Sequence, residues 1–131
     1  MNEIYFDHEK LKVYQKAIEF VGWVHKLLVG IKTKSLTNDQ FERAADSIAL
    51  NIAEGNGKYS GKDRCRYFDI SKASALESAA CIDLLFVKQL IDESTLLQGK
   101  QQLKEIISMI VGLIKSNSDR VYEQDEDYGS N

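Results

Sequence analysis

The chain has 131 residues, 44% hydrophobic and 28% charged, with no proline and a formal net charge of −3. This is the length and balance of one globular domain with a single core, and the lack of proline favours long uninterrupted helices. No apolar run reaches the roughly eighteen residues that a membrane helix needs, so a transmembrane helix is excluded.

The opening Met1-Asn2-Glu3-Ile4-Tyr5-Phe6-Asp7-His8 has no basic stretch leading into an apolar core. A signal peptide is therefore not expected, and the expected location is the cytoplasm. Helix 1 is predicted from Asp7 or His8 to Lys34, because Leu11, Tyr14, Ala17, Ile18, Val21, Val24, Leu28 and Ile31 recur at three- and four-residue steps. Lys10, Lys12, Lys16, Glu19 and Lys26 fill the solvent faces.

Thr37-Asn38-Asp39-Gln40 reads as a capping box for helix 2, whose apolar side is Phe41, Ala44, Ala45, Ile48, Ala49 and Ile52. Helix 2 is expected to stop at Gly55, with the Gly55-Asn56-Gly57 run supplying positive φ at its C-terminus. Ser60, with Asp63 three residues on, reads as the N-cap of helix 3, so Gly55, Gly57 and Ser60 mark a tight corner between two helices.

Helix 3 is predicted from Gly61 to Leu90. Its middle, from Ser71 to Cys81, is dominated by Ala, Ser and Cys, which lets a neighbouring helix come close. Ser94 or Thr95 is expected to cap helix 4, which carries Leu97, Leu103, Ile106, Ile107, Ile110, Leu113 and Ile114, with Gly99 a weak point near its start. Short links place consecutive helices antiparallel, so the expected fold is all-α, an up-down-up-down four-helix bundle over residues 1–117.

Residues 118–131 form an acidic segment with little periodicity, read as a flexible C-terminal tail. Residues 119–131 hold five acidic residues against Arg120 alone, so they carry −4 and leave 1–118 at about +1. A strongly basic domain would point to phosphate binding over its whole surface, and this body is nearly neutral.

Catalysis and cofactors find little support in the spacing. A di-iron bundle site needs Glu-x-x-His pairs, yet Tyr5 and Gly22 stand three residues before His8 and His25, the chain's two histidines. No metal or other cofactor is expected. Cys65 and Cys81 lie on one predicted helix, roughly 24 Å apart at about 1.5 Å per residue, too far to pair. Arg64 and Arg66 flank Cys65, but no base stands at a spacing that activates the thiol. Gly55-Asn56-Gly57-Lys58 lacks the preceding strand and the longer spacing of a phosphate loop. No catalytic residue is assigned.

Two polar groupings remain. Arg43, Ser47, Asn51 and Glu54 fall within roughly an 80° stripe of helix 2 at about 100° per residue, and Ser74 and Glu77 are one turn apart on helix 3. Two readings of these residues stand open: a solvated face, or a polar seam between helices or subunits in which Arg43 meets Glu54 or Glu77. Lys58, Lys62, Arg64 and Arg66 cluster at the helix 2–3 corner with Tyr59 and Tyr67 among them, either an ordinary charged surface or a nucleic-acid contact.

The run Arg43-Ala44-Ala45-Asp46-Ser47-Ile48, then Asn51-Ile52-Ala53-Glu54-Gly55, Gly57-Lys58, Ser60, Ser74 and Glu77, resembles the signature of bacterial 23S rRNA-intervening-sequence proteins. The same fold family includes accessory proteins of diversity-generating retroelements. The opening Leu11-Lys12-Val13-Tyr14-Gln15-Lys16-Ala17 also fits, and the similarity runs from about Phe6 to about Ile114. Ala49, Lys58, Arg64 and Ala73 stand where that pattern usually has proline, arginine, phenylalanine and glycine.

The resemblance implies a helical bundle assembled into a homopentamer, binding RNA or a nucleic-acid enzyme, without established catalysis. Five copies of the basic corner around a ring would make weak contacts multivalent. The expectation is thus a non-enzymatic oligomeric protein that binds RNA or a nucleic-acid-handling partner. The alternative is a structural adaptor that binds protein through the acidic tail or ring surface and has no nucleic-acid role.

Overall fold

The computed structural model describes the backbone of residues 3–129 and the side chains of residues 3–118. A short 3-10 turn, Asp7–Lys10, leads into α1 (Lys12–Gly30), α2 (Leu36–Asn56), α3 (Gly61–Val87) and α4 (Glu93–Gly129). Among the described residues there is no strand. Contacts between neighbouring helices run in opposite directions along their sequences. Ser47 meets Ser74 and Thr37 meets Lys88 across α2 and α3, while Arg64 meets Asn117 and Asp83 meets Lys100 across α3 and α4. Lys16 pairs with Glu105 and Gly99 approaches Trp23, which makes α1 and α4 antiparallel as well. The result is the up-down-up-down four-helix bundle.

The core follows the apolar stripes. Ala17, Phe20 and Val24 of α1, Phe41, Ile48 and Ile52 of α2, Phe68, Ala75, Ile82 and Leu85 of α3, and Leu103, Ile106 and Ile110 of α4 are all buried. Phe20 links two helices by packing at 6.3 Å from Phe41. At about 25 cal/mol per Å² of apolar surface removed from water, such rings and branched chains supply the main drive to fold.

Several boundaries differ from the sequence expectation. Helix 1 begins at Lys12 because Asp7–Lys10 closes a separate turn in which the Phe6 N–H donates to Glu9. It stops at Gly30, and Ile31 turns extended into the core. Helix 2 is capped by Ser35, whose Oγ accepts from the Asn38 N–H, whereas Thr37 sits inside the first turn and accepts from Lys88 Nζ at 3.0 Å. Asp92, rather than Ser94 or Thr95, caps α4 by accepting the Thr95 N–H at 2.8 Å. That bonding holds the Asp92 carboxyl below the usual carboxylate range.

Helix 3 ends at Val87, three residues early, in a left-handed stop. Gln89 has φ 62°, its N–H donates to Phe86 O at 2.9 Å, and the Leu90 N–H donates to Leu85 O at 2.9 Å. These two bonds satisfy carbonyls that the helix end would otherwise orphan, and they return Leu90 to the core. At the other end of the bundle, α4 continues as helical backbone to Gly129. The side chains beyond Ser118, and residues 130–131 entirely, lie outside the described residues, and the expectation of a flexible acidic tail falls largely on them.

Candidate nucleic-acid interface

The corner between α2 and α3 is built differently from a positive-φ glycine cap. Gly55 lies within α2, which runs on to Asn56, and no described glycine has positive φ. A Cβ at Gly55 would stand 2.8 Å from Phe68 Cε1 and 3.0 Å from Tyr67 Cβ, so glycine is required by the close approach of α3. Gly57 is the C-cap, with ordinary right-handed backbone, and its N–H reaches Ala53 O and Glu54 O. Ser60 caps α3, its Oγ accepting the Asp63 N–H at 3.1 Å.

Arg64 faces inward from this corner. Its Nη1 donates to Asn56 O at 2.7 Å and Lys58 O at 3.1 Å, its Nη2 to Asn56 Oδ1 at 3.0 Å, and its Nε to Asn117 Oδ1 at 2.9 Å. Asn56 Nδ2 in turn donates to Asp7 Oδ2 at 3.0 Å, which holds the Asp7 carboxyl below its usual range. Buried Asn117 donates back to Leu113 O at 2.7 Å. One guanidinium therefore ties the end of α2 to α4, and Asn56 adds the N-terminal turn; four of Arg64's five N–H donors are engaged within the protein, which sets it apart from the exposed Lys62 and Arg66.

Of the other three cations, Lys62 and Arg66 are exposed and Lys58 is half-buried. Lys58 Nζ lies 5.1 Å from the Tyr67 ring centre and Arg66 Cζ lies 5.2 Å from it, so the ring sits within reach of both charges. Lys62 and Arg66 are exposed one turn apart on α3, and Tyr59 is fully exposed at 102%. Asp63, Asp69 and Glu54 are also exposed nearby in sequence, so the corner is basic by arrangement more than by net charge.

The polar stripe divides between the two readings. Ser47 Oγ and Ser74 Oγ are 2.7 Å apart, Asn51 Nδ2 donates to Ser47 Oγ at 2.9 Å, and Ser71 Oγ donates to Ile48 O at 2.8 Å. These small side chains make a hydrogen-bonded seam where α2 and α3 lie close. Arg43, Glu54 and Glu77 are exposed and take no part in it, which corrects the expected pairing of Arg43 with Glu54 or Glu77 within the chain. The cause is angular: at about 100° per residue Asn51 and Ser47 lie on the side of the stripe nearer the buried Ala44, and Glu54 and Arg43 lie beyond them.

A shallow groove of about 250 Å³ runs between α1 and α2, lined by Tyr14, Ile18, Val21, Asp46, Ala49 and Leu50. Beside it Asp46 and Glu42, one turn apart, line a second groove with His25. Burial, and then the Glu42 charge, push the Asp46 carboxyl above its usual range. Among the described residues no group of three His, Cys, Asp or Glu side chains is arranged to hold a metal ion. No helix among them is long and apolar enough to cross a membrane.

Sequence reasoning missed Asn56 and Asn117 as partners of Arg64, and it missed the full exposure of Tyr59. Asn56 between two glycines was a usable local signal, whereas Asn117 lies 53 residues from its partner and gave none.

Fold and corner together define a small all-α bundle protein whose polar features lie at one helical corner and along one helix seam. The chain belongs to the 23S rRNA-intervening sequence protein family, whose family model matches residues 9–112. A crystal structure of a protein of unknown function from the S23 ribosomal protein family of Bacteroides thetaiotaomicron VPI-5482 is similar in fold, with 24% identity and a TM-score of 0.74. The match covers 79% of this chain and 98% of that one. A search of curated proteins finds no match.

Proposed function

We propose that this protein is a non-enzymatic oligomer that binds RNA, or a nucleic-acid-handling partner, through the α2–α3 corner. The observation that carries the reading is the placement of Lys58 and Arg66 over the Tyr67 ring, with exposed Lys62 and Tyr59 in the same corner, on a chain whose family is described by an rRNA intervening sequence. Three cations per chain are few, and repetition of the corner in an oligomer, expected to be a pentamer, supplies the avidity that one copy lacks. Self-association is supported by apolar side chains left exposed on α2 and α3, including Leu50, Ile70, Leu76, Leu84 and Val87.

The test is RNA binding across a salt series, for the full chain, for a form lacking residues 119–131, and for Lys58→Gln/Lys62→Gln/Arg66→Gln. Asn117 and Ser118 contact Arg64 and Cys65, so the acidic segment leaves the bundle beside this corner. Its removal strengthens binding, and the triple variant loses it. Identical behaviour of all three forms, or a monodisperse monomer by light scattering at micromolar concentration, would reject the reading in favour of a protein-binding adaptor.

A further inference from the structure

Tyr59 has no role in the fold. It sits in the link 57–60 between α2 and α3, with its ring wholly in solvent. The backbone around it is nevertheless held. The Lys58 N–H donates to Gly55 O at 3.1 Å, Lys58 O accepts from Arg64 at 3.1 Å, and Ser60 is engaged as the α3 cap. An exposed aromatic face on a fixed backbone loses little conformational freedom when something stacks on it. Lys58, Lys62 and Arg66 lie within seven residues of it in sequence and carry the positive charge that a phosphate backbone requires.

We propose that this corner is a stacking platform for unpaired bases, with Tyr59 as the face and Lys58, Lys62 and Arg66 holding the flanking phosphates of single-stranded RNA. The proposal rests on the RNA-binding reading and specifies which form of RNA is taken. Charge decides between the forms. With Glu54, Asp63 and Asp69 close in sequence to the cations, phosphate attraction alone is weak, so binding needs the additional contribution of base stacking. A duplex keeps its base faces inside the helix and offers the corner only phosphates, whereas a single strand offers both.

The experiment measures binding of the full chain at low salt to a labelled fifteen-residue oligouridylate, on the order of the site sizes of single-strand binders, and to an RNA duplex of the same length. Wild type binds the single strand more tightly. Tyr59→Ala weakens single-strand binding about five- to 150-fold and leaves duplex binding nearly unchanged, while Tyr59→Phe retains it. Lys62→Gln/Arg66→Gln weakens both and lowers the salt slope by about 1.4 for the single strand. Because the Tyr59 ring touches nothing, an unchanged melting curve confirms that Tyr59→Ala stays folded. Equal single-strand binding by Tyr59→Ala and wild type overturns the platform and leaves RNA binding standing. Failure of wild type to bind either RNA overturns both. Displacement of the oligouridylate by polyglutamate at equal charge concentration shows recognition of acidic chains in general and overturns the platform as well.

Discussion

Gly55→Ala isolates the close approach that builds the α2–α3 corner. In an open helical site the change would stabilise by about 1 kcal/mol, since alanine loses less backbone freedom on entering a helix. At Gly55 the new methyl meets Phe68 Cε1 at 2.8 Å, Phe68 Cδ1 at 2.9 Å and Tyr67 Cβ at 3.0 Å. Phe68 is fully buried and Tyr67 Cβ is fixed to the α3 backbone, so neither yields without moving α3 away. Overpacking of this kind costs about 1–3 kcal/mol, which cancels the propensity gain and leaves a net loss of up to about 2 kcal/mol. For a chain of this length the loss corresponds to a fall in Tm of up to about 7 °C. Differential scanning calorimetry measures it, with Gly22→Ala as control. A Cβ at Gly22 meets nothing within 4 Å, so the same substitution raises Tm there. Gly55→Ala combined with Phe68→Leu should be less damaging than the sum of the two single changes. A Tm gain at Gly55 equal to that at Gly22 would refute the packing argument.

Three further outcomes follow from the geometry. Gln89→Gly relieves a left-handed backbone at the end of α3 and stabilises by about 1 kcal/mol in chemical denaturation, while Gln89→Val destabilises. Arg64→Met strands the Asn56 and Lys58 carbonyls and the Asn117 side chain, costing about 1–3 kcal/mol; Arg66→Gln changes the denaturation midpoint by no more than about 0.5 kcal/mol. The Asp46 carboxyl titrates above its ordinary 3.8, so its contribution to stability falls as pH rises from that value through its raised pKa. Asp46→Asn therefore raises Tm at pH 7, and the gain shrinks to nothing as pH drops below the ordinary carboxylate range. A gain of equal size at pH 3 and pH 7 would contradict this.

The four helices and their buried faces were legible because Phe41, Ile48 and Ile52, or Leu103, Ile106 and Ile110, repeat at the helical period, and Ser60 three residues before Asp63 marks a helix start. Thr37 reads as the cap of α2 although Ser35 holds that place, because a local pattern has no means of weighing the Lys88 side chain that engages Thr37 from 51 residues away. Gly55 was recognisable as a required glycine, but the sequence is equally consistent with a left-handed cap and with a neighbour too close for a methyl group. Arg64 shows the same limit. Composition counts it as one more surface cation, and only the folded position of Asn117 turns it inward. The exposure of Tyr59 is illegible for the opposite reason: an aromatic residue in a short link normally packs somewhere, and no pattern signals that it does not.

An even number of helices returns the chain to where it started, and the Asp7–Asn56–Arg64–Asn117 network fastens that return. The molecule consequently has a working pole and a spare pole. A fluorophore, affinity tag or fusion partner joined at Asp7 or Asn117 would crowd the corner proposed to take RNA. The links at 31–35 and 88–92 lie at the other pole, where immobilisation leaves that corner clear. The same geometry suits circular permutation: joining the segments that meet at Asp7 and Asn117 and opening the chain within 88–92 moves both ends to the spare pole, so the platform can be presented to a long RNA free of attached groups.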